Sequence, residues 1–268
     1  MEDSNQEAGL TPEMEISERV HVMPLGYEEE RAYLSAERLK ADKVVLVAHP
    51  DSDKYVSTVD TELTKRGIEV EVERCNIFDL YSSLGTIAEQ LHEHRREHVF
   101  VNISTGGKIT AIAGMIACMV TGAEPYYVQA EDYETKIPKG IASIKSLPRY
   151  PIEAPDPQQI QILDYIKERQ EEGDFPTKGD LIRFGEAAGL PFISNHDVED
   201  KGKYRLLDSH IIHPLSEKGY ITIEKSGRQK EIGLTKNGEG TLRAFHYMIM
   251  DENEGRQGDN SEKQATKA

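Results

Sequence analysis

Four consecutive branched aliphatic residues, Val44, Val45, Leu46 and Val47, constrain this chain more than any other feature. Successive side chains of a strand point to opposite faces, so such a run is a strand buried on both sides. A sheet covered on both faces is in turn the mark of parallel strands joined by crossover helices. The segments around the run fit that pattern. Apolar strand-like stretches at 20–25, 43–48, 68–74, 99–103 and 124–128 alternate with helical ones through the first 130 residues. Leu84, Ile87, Ala88 and Leu91 recur at helical spacing, which predicts one apolar face laid on the sheet. Residues 109–120 are apolar nearly all round and predict a helix set deep, between the sheet and a second subunit. The expectation is an α/β fold: a Rossmann-like, mostly parallel sheet flanked by helices.

The pattern changes beyond SLPRYPIEAPDP, residues 146–157, which holds four of the twelve prolines and predicts an extended connector. After it come helical stretches near 157–171, 178–188 and 203–218. A hairpin follows, YITIE and EIGLT around KSGRQK, and then an amphipathic helix over about 236–250. Both ends are polar and lack apolar periodicity. The predicted organisation is therefore a disordered tail at 1–17, an α/β domain at 18–147, a linker at 148–157, a domain at 158–250 whose order of helices and hairpin resembles the winged helix-turn-helix family, and a second disordered tail at 251–268.

Charge narrows the function. The formal net charge is −16, which excludes wholesale electrostatic capture of nucleic acid and confines any DNA contact to a local patch. Such a patch exists: residues 201–250 carry nine basic and five acidic side chains, against an acidic remainder. Lys225, Arg228 and Lys230 crowd the hairpin tip, and Lys201, Lys203, Tyr204 and Arg205 open the preceding helix. A helix entering the major groove with a basic wing on the backbone needs this distribution. The longest apolar run is too short to cross a bilayer, and the acidic first residues do not form a signal peptide. Two cysteines, Cys75 and Cys118, are too few for a disulfide framework, so the expected compartment is a reducing cytoplasm.

In the first domain the chemistry-bearing stretch is VFVNISTGGKITAIAGM, a strand passing through a small polar loop into a helix. Gly106 and Gly107 permit close backbone approach, and the new helix offers free amides and the positive end of its dipole to an anion. Ser104, Thr105 and Lys108 can add hydroxyls and charge, while Asn102 can order the turn. The loop is neither a Walker A nor a GxGxxG motif, which speaks against ATP hydrolysis and dinucleotide binding. Gly26 and Tyr27 follow the first strand and Asp51 the second, so all of these can converge at the carboxyl edge of the sheet. The AHPDSD string is also similar to the zinc-binding AHPDDE of sugar N-deacetylases, but Ser52 breaks the carboxylate pair. The remaining candidate ligands, His92, His94 and His98, lie on or after the charged end of a helix.

With NISTGGK after the fourth strand, a proline linker and a winged-helix pattern in that order, the chain resembles regulators that join a CRISPR-associated Rossmann-fold (CARF) domain to a C-terminal winged helix, chiefly archaeal. The resemblance implies a homodimer through the Rossmann domains, with both copies of the loop facing one pocket on the two-fold axis and holding a cyclic oligoadenylate. Ser104, Thr105, Gly106, Gly107 and Lys108 would hold the ligand, aided by Gly26, Tyr27 and Asp51. The winged helices would bind double-stranded promoter DNA. No metal and no resident cofactor are required. Two alternatives share the pocket: a ring nuclease that cuts its cyclic ligand, and a regulator that senses another phosphorylated metabolite.

Overall fold

In the computed structural model, which describes residues 17–133, 136–226 and 229–250, the branched run forms the second strand of a six-stranded sheet. The strands are β1 (Arg19–Pro24), β2 (Lys43–Ala48), β3 (Glu69–Arg74), β4 (His98–Asn102), β5 (Glu124–Gln129) and β6 (Ser143–Ser146), in the order β3-β2-β1-β4-β5-β6. The first five are parallel and β6 runs antiparallel to β5. The crossovers are α1 (Glu29–Arg38), α2 (Asp53–Thr64), α3 (Leu80–Glu93) and α4 (Lys108–Thr121). Alternation along the strands divides the core. Val20, Val22, Val45 and Val47 pack with α3 and α4, while Met23, Val44 and Leu46 pack with α1 and α2. The edge strand β6 was not expected, because four residues, SIKS, half exposed and polar, carry no strand periodicity.

Topology fixes where a ligand can sit. β1 pairs with β2 on one side and β4 on the other, so the chain's winding reverses between β1 and β4. Loops leaving adjacent strands there diverge and open a crevice.

The second domain comprises α5 (Pro157–Glu171), α6 (Lys178–Ala188), α7 (Pro191–Ser194), α8 (Asp200–Leu207), a π turn (Asp208–Ile212), α9 (His213–Glu217), the hairpin β7 (Ile221–Ser226) and β8 (Gln229–Leu234), and α10 (Lys236–Phe245). It is a winged helix. Side chains cap its helices: the Asp156 side chain accepts the Gln158 amide at 3.0 Å. Thr177 and Asp180 form a reciprocal box at the start of α6. The final helix is shorter than expected: α10 ends at Phe245, and a further helical turn covers 247–250.

The two domains share one hydrophobic cluster, running from Val20, Val45 and Leu84 to Leu163, Leu207 and Leu242. Its bridge is the crossing of α3 over α10. A Cβ on Gly240 would lie 2.4 Å from the Tyr81 ring, and one on Gly85 would lie 2.8 Å from the Arg243 carbonyl oxygen. Only glycine permits this approach. Beside it the Arg243 guanidinium meets the Asp79 carboxylate at 2.5 Å, and the Tyr247 and His92 rings touch at 5.2 Å between centroids.

Candidate functional site

The loop between β4 and α4 lies at the switch point, directly beside the loop that follows β1. Gly26 and Gly106 come so close that a Cβ on Gly26 would sit 3.0 Å from the Gly106 Cα. Gly106 has φ +77°, the left-handed region that glycine enters without strain. Gly107 then caps α4: its N–H donates to Thr110 Oγ1 at 2.9 Å, and that hydroxyl donates back to the Gly107 carbonyl at 2.8 Å. The first amides of α4 have no partner within the helix and face the loop's open side, where Gly107 and Lys108 are exposed. Exposed amides at the start of a helix have the geometry and dipole that can receive an anion.

The polar residues of the motif divide into two groups. Asn102 is fully buried and ties the loop's root to α1 by donating to Ser35 Oγ and the Arg31 carbonyl. Its Oδ1 accepts both the amide and the hydroxyl of Ser104, whose Oγ in turn accepts the Val128 amide at 2.9 Å. Asn102 and Ser104 therefore brace the turn from behind, and their side chains are turned away from the crevice. Thr105 is 1% exposed and its hydroxyl has no hydrogen-bond partner. Tyr27, 61% exposed, stands edge-on to Tyr55 at 5.1 Å. Asp51 is exposed, and its amide donates to His49 Nδ1 at 3.2 Å.

Sequence reasoning missed two features of this edge. Glu28 and Arg31 form a pair (3.3 Å) under the two glycine loops, with Glu28 Oε2 2.6 Å from where a Gly26 Cβ would be. In the sequence they read as part of an acidic helix start, EEER. Phe78, after β3, is 73% exposed beside the His49 ring, so aromatic surface continues along the rim.

The zinc reading finds no geometry. His49 ends β2 at the carboxyl edge, whereas His98 opens β4 at the opposite edge. Asp53 is held by Arg74 at 2.7 Å. No group of three ligating side chains that could hold a metal ion is found among the described residues.

Behind the loop, His21 is fully buried, with Nδ1 3.0 Å from Tyr126 Oη, and Tyr126 reaches Ser35 at 3.4 Å. Burial, with the nearby charge of Arg19, lowers the His21 pKa from 6.5 to about 4. The fold thus keeps His21 neutral where the unfolded chain protonates it. Stability is unaffected above pH 6.5, falls by about 3 kcal/mol as pH drops from 6.5 to about 4, and loses no more from this group below that. Denaturation midpoints across this range should fall less steeply for His21→Gln than for the parent. Equal slopes would show that His21 does not carry the effect.

In the winged helix, Lys225 and Lys230 are exposed and directly opposite each other across the hairpin. Arg228 lies outside the described residues. Lys201, Tyr204 and Arg205 are exposed on α8. Lys203 is bound to Glu186 at 2.7 Å and reaches Asp200 at 3.5 Å, so it braces α8 against α6.

Fold and site together define a two-domain chain, a Rossmann-like α/β domain with a glycine-lined loop at its switch point, carrying a winged helix. Residues 19–133 match the family model described as HFX_2341_N-like, N-terminal, and residues 158–246 match the DUF6293 C-terminal winged helix domain. This chain thus carries a DUF6293 winged helix behind an N-terminal domain of that type, the pairing expected from the sequence. An uncharacterized protein of Methanocaldococcus jannaschii, MJ1513, is 24% identical over 186 residues, covering 55% of each chain, so this chain spans about half the length of that relative.

Similar solved structures include Can2 from Sulfobacillus thermosulfidooxidans in complex with cyclic tetra-adenylate (12% identity, 85% of this chain and 64% of that one, TM-score 0.40). Enterococcus italicus Csm6 bound to cyclic hexa-2'-fluoro-hexa-dAMP is another (9% identity, 76% and 56%, TM-score 0.39). Protein VC1899 from Vibrio cholerae is a third (15% identity, 90% and 69%, TM-score 0.38). Among the described residues no helix is long and apolar enough to cross a membrane.

Proposed function

We propose that this protein is a ligand-responsive, DNA-binding transcriptional regulator of the cytoplasm. A homodimer of the sensing unit, residues 18–147, holds a cyclic oligoadenylate between its two β4–α4 loops. The winged helix of residues 158–250, joined through 148–157, binds double-stranded promoter DNA. The observation that carries this reading is the position of the anion seat. It lies at the switch point and at the head of α4, whose outward face is apolar.

That face supports the homodimer. The sequence predicts a helix set deep, yet within one chain Ile109 and Ile112 are exposed, Ile112 to 50%, and Met115, Ile116 and Met119 are half-buried along the same stripe. A second copy seated on the stripe covers it and brings the two loops together on a two-fold axis, matching a ligand with the same symmetry. Thr105, Gly106, Gly107 and Lys108 would contact phosphates through amides, hydroxyl and ammonium, with Tyr27 offering a ring to a base. Asn102 and Ser104 would act by holding the turn.

Ligand binding is tested by thermal unfolding. Cyclic tetra-adenylate at a hundred times its Kd adds about 2.7 kcal/mol and should raise the midpoint by roughly 5 to 10 °C. No shift with cyclic tetra- or hexa-adenylate would remove this ligand class. The dimer has its own test. Ile112→Glu buries two carboxylates and forfeits two isoleucines, a cost of at least 4 kcal/mol, so self-association should weaken roughly a thousandfold. Light scattering that still finds a dimer at low micromolar concentration would place the interface elsewhere.

A further inference from the structure

The recognition segment is not a continuous α-helix. Between α8 and α9 the chain makes one π turn, in which the His213 N–H donates to the Asp208 carbonyl five residues back. Two residues fix it there. Pro214 has no N–H, so the His210 carbonyl lacks its helical donor, and Gln159 Nε2 of α5 donates to that carbonyl at 3.1 Å. Gln159 is 7% exposed, so the turn is held from behind by a buried amide. An extra residue in one turn shifts every later side chain about 100° around the helix axis.

The open face of this segment carries a surface. Arg205, Ser209, His213 and Ser216 line one shallow groove of about 500 Å³, with Lys178 of α6 at its side and Ile212 beneath. Lys178 binds Asp208, the groove's one lining carboxylate, and so cancels its charge. Arg205 has no ion pair among the described residues, which leaves the groove a guanidinium, two hydroxyls and an imidazole. His213 is exposed, with Nε2 3.3 Å from Glu217.

Resting on the DNA-binding reading above, we propose that this groove is the surface that reads base edges. Arg205 reads a guanine in each half-site through O6 and N7, and Ser209 and His213 contact the neighbouring base pair. A planar guanidinium matches those two acceptors, and hydroxyl and imidazole groups donate or accept at base edges. Lys201 at the segment's start, with Lys225 and Lys230 on the wing, contacts phosphates. These contacts add affinity without sequence preference.

The test selects duplexes from a random pool with the full-length protein. The parent should enrich a motif with a guanine in each half. Arg205→Ala should lower discrimination at that guanine roughly 10- to 100-fold. His213→Ala should relax the adjacent position. The pair Lys225→Ala and Lys230→Ala should weaken every sequence alike and flatten the salt dependence by about two units of slope per half-site. If Arg205→Ala binds all duplexes more weakly but keeps the parent motif, Arg205 is a phosphate contact and the inference is overturned, while the DNA-binding reading stands. A parent that binds no duplex overturns both.

Discussion

Gly106→Val is expected to lower the thermal midpoint by roughly 5 to 15 °C and to abolish stabilisation by cyclic tetra-adenylate. The backbone at this position has φ +77°, and a valine there costs about 1 to 3 kcal/mol in conformational strain alone. Its Cβ would also lie 2.6 Å from Thr110 Oγ1 and 3.1 Å from the Pro24 Cβ. Displacing that hydroxyl undoes the Gly107 cap of α4, about 1 kcal/mol more. Gly107→Ala is the matched control. Its φ is −99° and nothing lies within 4 Å of an added Cβ, so the midpoint without ligand should stay where it is. The new methyl points into the anion seat, however, and should weaken the ligand. If Gly106→Val melts early yet keeps a full ligand shift, the seat lies elsewhere on the sheet edge.

Gly240→Leu should have a comparable effect through a different part of the molecule. The side chain has no room against the Tyr81 ring, so α3 and α10 must part, at a cost of about 3 kcal/mol and roughly 6 to 12 °C in midpoint. Because the strain belongs to one contact, Tyr81→Ala should recover part of the loss. A double-mutant cycle should therefore give a coupling of at least 1 kcal/mol. Strictly additive losses would mean that the two side chains do not meet. In ligand-dependent DNA binding, the Gly240 variant should still bind duplex but respond less to cyclic tetra-adenylate, since the ring-on-backbone contact joins the two halves.

Elements with their own local signals were legible in the sequence. β2, α5 and α6 have their expected bounds because a continuous branched run, an Asp-Pro start and a Thr-x-x-Asp box each specify structure within a few residues. The β4–α4 loop was legible for the same reason, as strand, small polar loop and helix follow one another directly. What escaped depends on partners distant in the chain. Gly85 and Gly240 look like weak points in helices until Tyr81 and the Arg243 carbonyl are set against them. Pro214 follows a π turn whose His210 carbonyl is met by Gln159, a partner 55 positions before the proline that the local sequence does not show. Ser104 offered a hydroxyl that the sequence left open to a ligand. Asn102, two residues earlier, accepts from it, and the Val128 amide, which donates to it, meets it only through the folding of the sheet.

The cluster shared by the two domains has a consequence for how such a chain can be divided. A linker rich in proline invites the view that sensor and reader are cassettes, each able to be cut out or exchanged. Here the last helix of the winged-helix domain completes the hydrophobic covering of α3, and α3 completes that of the winged-helix domain. A cut at the linker would strip apolar surface from both pieces. A chimera would succeed only if its new sensor presented a glycine where α10 crosses. Any lineage that swapped one half would have had to carry the seam along with it.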